Sequence, residues 1–94
     1  MPINIASAAY EKAADIFSIL THPAAKSIIT KLNQVECTTG ELVTGEFPVS
    51  AVRKQLQRLI SIEVVRKEQL GNEVYYKLSH GRIDTINAAA ARLL

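Results

Sequence analysis

The chain has 94 residues, 48% of them hydrophobic and 21% charged, with a formal net charge of +2. That describes one globular domain with one core, neither disordered nor large enough to divide in two. A single cysteine excludes an internal disulfide and suggests a reducing compartment, and Cys37, His22 and His80 are too few and too scattered for the four ligands of a structural zinc site.

The opening stretch MPINIASAAYEKAADIFSIL has no basic leader, and Glu11, Lys12 and Asp15 break its apolar run short of a signal peptide or membrane span. A cytoplasmic protein is expected. Ala6, Ala9, Ala13, Ile16, Phe17 and Leu20 recur at helical spacing, which predicts an amphipathic helix ending near Thr21, before Pro23. Pro23 suits the first turn of a second helix, with His22 at its start, Ile28, Ile29 and Leu32 on its buried face, and an end near Gln34. Thr38 and Glu41 have the spacing of a capping box, so a short third helix carrying Leu42 and Val43 should begin there and stop before Gly45 and Pro48.

Pro48 opens a fourth helix, VSAVRKQLQRLI, with Ser50 as a contributor to its first turn. Its apolar stripe is Val49, Val52, Leu56 and Leu59, and its other surface carries Arg53, Lys54, Gln57 and Arg58. After Ile60 the period changes to two. EVVRKEQL, Gly71-Asn72 and EVYYKL read as a β-hairpin with Val74, Tyr76 and Leu78 on one face. HGRIDTINAAAARLL is a closing helix with Ile83, Ile86, Ala90 and Leu93 on a stripe, and His80 serves as a cap or loop residue at its start. The fold class is therefore mostly α with a small β-hairpin, in the order α-α-α-α-β-β-α.

Charge follows this order unevenly. Residues 1–47 hold three bases and five acids, whereas residues 48–94 hold eight bases and four acids, which suggests an anionic partner for the second half. A basic helix after a tight turn, followed by a hairpin with bases on its arms, is the plan of a winged helix-turn-helix. A B-DNA major groove about 12 Å wide admits one α-helix whose exposed donors meet base edges and phosphates. Ser50, Arg53, Lys54, Gln57 and Arg58 are the candidate contacts on that helix. Arg66, Lys67, Asn72 and Lys77 are the candidates on the wing, which could reach the neighbouring backbone or minor groove.

HPAAKSIITKL, then GELV, VRKQLQRLISIEVV and QLGNEVYYKL, resemble the small winged-helix repressors of the ArsR type over residues Leu20 to Leu78. MarR-type regulators share the plan more distantly. In the ArsR pattern Val52, Arg53, Lys54, Gln55 and Leu56 occupy the VSRHL positions of the recognition helix, which implies groove and phosphate contacts for Arg53 and Lys54. Two positions depart from it: Ala25 stands where arginine is usual, and Glu63 stands where glycine normally precedes the wing. The paired cysteines or carboxylate–histidine pairs of the family's metal sensors have no counterpart, since Asp84 lacks a matching histidine; no metal and no cofactor are expected.

A single domain over 1–94 is expected, with the helix-turn-helix at 38–60, the wing at 62–78, and dimerisation helices at 1–20 and 80–94. The Ala6/Ala9/Ala13 and Ala88–Ala91 stripes allow close helix approach, or they pack on each other within one chain. The expected function is a dimeric, sequence-specific double-stranded DNA-binding regulator, a repressor acting on an inverted-repeat operator. The alternative is a winged-helix module for protein contact, in which the basic helix is only a solvated face. An enzyme is the weakest reading: there are no paired carboxylates, nucleophile elbow or phosphate loop, and Ser50 has no base beside it. Tyr75 and Tyr76 read as strand residues, one of them core, and Cys37 as a small hydrophobe rather than a redox switch.

Overall fold

The computed structural model describes residues 13–93. Helix α1 covers residues 13–21 of this range and lays Ile16, Ile19 and Leu20 against the core. Ala6 and Ala9 of the expected stripe lie outside the described residues. Phe17, expected on the buried face, is 40% exposed; Ile19 takes part in the packing in its place.

Helix α2 (Pro23–Leu32) starts as its sequence dictates. Pro23 lacks only an N–H that a first turn leaves unpaired, and the His22 imidazole Nδ1 accepts the Ala24 N–H at 3.1 Å. Ala24, Ala25, Ile28 and Leu32 are buried. The helix ends two residues before Gln34, with Asn33 as its C-cap. Ala25, where the resemblance would place arginine, is fully buried in the core.

Strand β1 (Cys37–Thr38) was not expected from the sequence, because two residues carry no period. Thr38 also caps α3 (Thr39–Leu42). Its hydroxyl accepts the Glu41 N–H at 3.3 Å, and the Glu41 carboxylate accepts the Thr38 N–H at 3.0 Å. The capping box therefore forms as its spacing requires. Leu42 is buried and Val43 is the C-cap, packed against the core.

Helix α4 (Val49–Ser61) buries Val52, Leu56 and Leu59, as predicted. Two positions differ. Val49, the first residue of α4, is 47% exposed. The buried flank is completed instead by Gln55, only 3% exposed. Ser50 makes no cap; Pro48 holds that position without a side-chain hydrogen bond.

The hairpin consists of β2 (Val65–Leu70) and β3 (Glu73–Leu78), paired antiparallel from Val65↔Leu78 to Leu70↔Glu73. Gly71, at φ +64°, supplies the first central residue of a two-residue turn, which few side-chain-bearing residues adopt cheaply. On the other side of β3, β1 adds the pairs Cys37↔Tyr76 and Thr38↔Tyr75, giving the sheet order β1-β3-β2. Helix α5 (His80–Leu93) follows directly. Ser79 takes the cap position, its carbonyl accepting the Ile83 N–H at 3.1 Å, so His80 is the first helical residue and is exposed. Ile86 is buried and Ile83 and Ala90 half-buried, whereas Ala88, Ala89 and Ala91 are exposed.

The core joins these elements into one body: Ala25, Ile28 and Leu32 of α2, Cys37, Leu42, Val52, Leu56 and Leu59, then Val64, Val65, Leu78 and Ile86. Helix α4 is thus held along one side and open along the other.

Candidate nucleic-acid interface

The open side of α4 is where the sequence places its donors. Ser50, Arg53, Lys54, Gln57 and Arg58 are all exposed, while the residues between them, Val52, Gln55, Leu56 and Leu59, are buried. Arg53 and Gln57 are one turn apart on one row, and Lys54 and Arg58 on the next. With Ser50, five donors thus face solvent on a helix whose position is fixed by its apolar side.

The hairpin divides the wing residues between two faces. Because side chains alternate along a strand, the register puts Arg66, Glu68, Tyr75 and Lys77 on one face and Lys67, Gln69, Val74 and Tyr76 on the other. Lys67 shares a crevice with Arg53, Leu56 and Gln57 of α4, closed by Tyr76 and Thr39. The Thr39 hydroxyl donates to the Tyr76 hydroxyl at 3.4 Å across its end. Arg53, Gln57 and Lys67 are therefore brought together, from positions the sequence separates by a helix end and a turn.

The opposite face is partly neutralised. Lys77 forms an ion pair with Glu68 at 2.8 Å, and this partner raises the Lys77 pKa. Beside it the Tyr75 hydroxyl donates to the Glu73 carboxylate at 2.6 Å, which likewise raises the phenol's pKa. Arg66 on this face is exposed, and Asn72 is exposed at the hairpin tip. Tyr76 is the tyrosine packed against the core.

Three residues here were not among the candidate contacts read from the sequence. Thr39 and Tyr76 wall the crevice through the sheet register, and no local pattern announces that pairing. Gln55 was read only through the recognition-helix pattern; it is turned inward, and its Oε1 has no hydrogen-bond partner among the described residues.

Among the described residues no group of three or more His, Cys, Asp or Glu is placed to hold a metal ion, and no helix is long and apolar enough to cross a membrane.

No protein-family model matches the sequence, and no curated protein matches it. Solved structures do match. The ArsR-like transcriptional regulator from Rhodococcus sp. RHA1 superposes with a TM-score of 0.79 at 21% identity, over 92% of this chain and 82% of that one. NolR from Sinorhizobium fredii gives a TM-score of 0.72 at 22% identity, over 97% and 91% of the two chains. The transcriptional repressor BigR from Xylella fastidiosa gives 0.69 at 21% identity, over 94% and 88%. Likeness at such identities speaks for architecture, and it agrees with the order of helices, short strand and hairpin described above: the chain has the winged helix-turn-helix fold of the ArsR-like transcriptional regulators.

Proposed function

We propose that this protein is a sequence-specific double-stranded DNA-binding regulator of the cytoplasm, acting as a dimeric repressor without a metal sensor. The observation that carries the reading is the two-sidedness of α4: Val52, Leu56 and Leu59 are 0–3% exposed while Arg53, Lys54, Gln57 and Arg58 all face solvent. Such a helix enters a major groove with its donors toward base edges and phosphates. Lys67 in the adjoining crevice extends the same basic surface onto the wing, and Arg66, Asn72 and Lys77 are its further wing contacts. The likeness to solved regulators, one of them described as a repressor, agrees with this role.

The terminal segments 1–20 and 80–94 are the proposed dimer contacts. A two-fold dimer would set two α4 helices about 34 Å apart, one turn of DNA, and so select an inverted-repeat operator. Occupancy of a promoter is then enough for repression.

Fluorescence anisotropy with a random-sequence duplex across a salt series tests the reading. Affinity should fall linearly on a log–log plot, by about 0.9 per phosphate contact. Absence of binding at low salt would overturn it and leave the same surface to a protein partner.

A further inference from the structure

A second basic site lies behind the wing. The end of α4, the start of β2 and the first turns of α5 enclose an open cleft of about 590 Å³, within the range of small-molecule sites. Arg66 and Lys67 line it from the two faces of the edge strand β2 and Arg82 from α5, against one carboxylate, Glu63. The lining therefore carries a formal charge of +2. Ile60, half-buried, is its apolar side, and Val65 on the lining is a core residue.

The three cations have no ion-pair partner among the described residues. Among the described residues the one ion pair is Lys77–Glu68, on the outer face of the hairpin. Arg82 is half-buried, and its Nε donates to the Ile62 carbonyl at 2.9 Å, which fixes the guanidinium while its terminal nitrogens have no partner among the described residues. A held guanidinium with free nitrogens is a ready partner for the paired oxygens of a phosphate or carboxylate. The hydroxyl of Ser79, on the same lining, also has no partner among the described residues.

We propose that this cleft binds a small dianionic ligand, a phosphomonoester or dicarboxylate, and that its occupancy weakens DNA binding. The charge of the ligand follows from the charge of the lining, and Ile60 offers an apolar contact to a carbon skeleton. The antagonism rests on the DNA-binding reading: Arg66 and Lys67 belong to both surfaces, so a dianion in the cleft neutralises charge that the wing would offer to the duplex. The binding itself does not depend on that reading.

Inorganic phosphate is the probe, at a slightly alkaline pH where it carries two charges. Backbone amide shifts of the full chain are followed against sodium chloride of equal ionic strength. Saturable shifts at Arg66, Lys67, Ser79, Gly81 and Arg82 with phosphate alone are expected. Arg66→Gln, an exposed strand position that folding tolerates, and Arg82→Gln should each weaken phosphate by about tenfold, while Lys26→Gln on α2 leaves it unchanged. Shifts that chloride reproduces, or that persist in both cleft variants, would overturn the site. Duplex anisotropy with phosphate or matched chloride then reads the antagonism. Phosphate should weaken the wild-type chain and not Arg82→Gln. Phosphate binding without an effect on duplex affinity overturns the antagonism and leaves the site, and no duplex binding in either salt overturns the DNA reading and the antagonism together.

Discussion

The Val64 N–H donates to the Leu59 carbonyl at 3.0 Å, and this bond closes the end of α4. Inside it, the Glu63 N–H donates to the Ile60 carbonyl at 2.9 Å, and Glu63 is held at φ +65°. The two bonds make a Schellman motif, whose left-handed residue is usually glycine. Glu63→Gly should therefore raise stability by about 0.5–1 kcal/mol, since it removes a steric cost and keeps both bonds. Chemical denaturation reads this directly, and a less stable variant would mean that the Glu63 side chain contributes more than its backbone costs.

Arg53→Ala combined with Lys54→Ala should weaken duplex binding and leave thermal stability unchanged, because both side chains are exposed. The salt dependence should become shallower by about 0.9 for each phosphate contact removed. Lower stability with unchanged duplex affinity would count against the assignment of this face.

Leu56→Ala should do the opposite. Leu56 is 3% exposed and lies in the core between α2 and the sheet, so its truncation should cost about 2–5 kcal/mol. A variant of normal stability in urea would show that α4 is rotated from the position described.

Gln55→Met should be neutral or stabilising by about 1 kcal/mol, because the native Oε1 is buried without a partner and methionine fills a similar volume. The midpoint of denaturant unfolding checks it. A clear loss would show that the amide is satisfied by a bound water.

Cys37 should alkylate slowly in the native chain and quickly once unfolded. Burial pushes its thiol above the ordinary 9.0, Glu41 adds to the shift and Lys31 opposes it, while Sγ donates to the Val35 carbonyl at 3.4 Å. The thiolate is the reactive form, so both effects suppress reaction at neutral pH. The sign of the linkage follows: a thiol pKa raised by folding contributes stability in full below 9.0, and that stability is lost as pH rises through the raised value. Timed iodoacetamide labelling with and without denaturant separates this from a redox-active thiol, which would react in the folded state.

The parts legible in the sequence were those with a local cause. Pro23, the Thr38–Glu41 pair and Gly71-Asn72 each mark an element boundary through the backbone geometry they favour, and each is found as expected. Val52, Leu56 and Leu59 kept their helical phase. What escaped was set by distant contacts. Nothing local distinguishes Val49, exposed at the start of α4, from Val52 one turn later. Gln55 looks like a surface residue until the packing turns it inward. β1 exists only because β3 offers it an edge, and the same register decides that Lys67 joins Arg53 and Gln57 while Arg66 and Lys77 take the other face.

Thr38 has two partners at once. It pairs with Tyr75 in the sheet and caps the helix that precedes α4. The hairpin is for this reason not a loose flap: tilting it means breaking the β1–β3 pairs or uncapping α3. Its angle to α4 is set before any partner arrives, so the two arms of the surface behave as a rigid caliper. On the proposed reading, a duplex whose spacing fits that opening would bind with little ordering cost, and one whose groove is wider or narrower would itself have to deform.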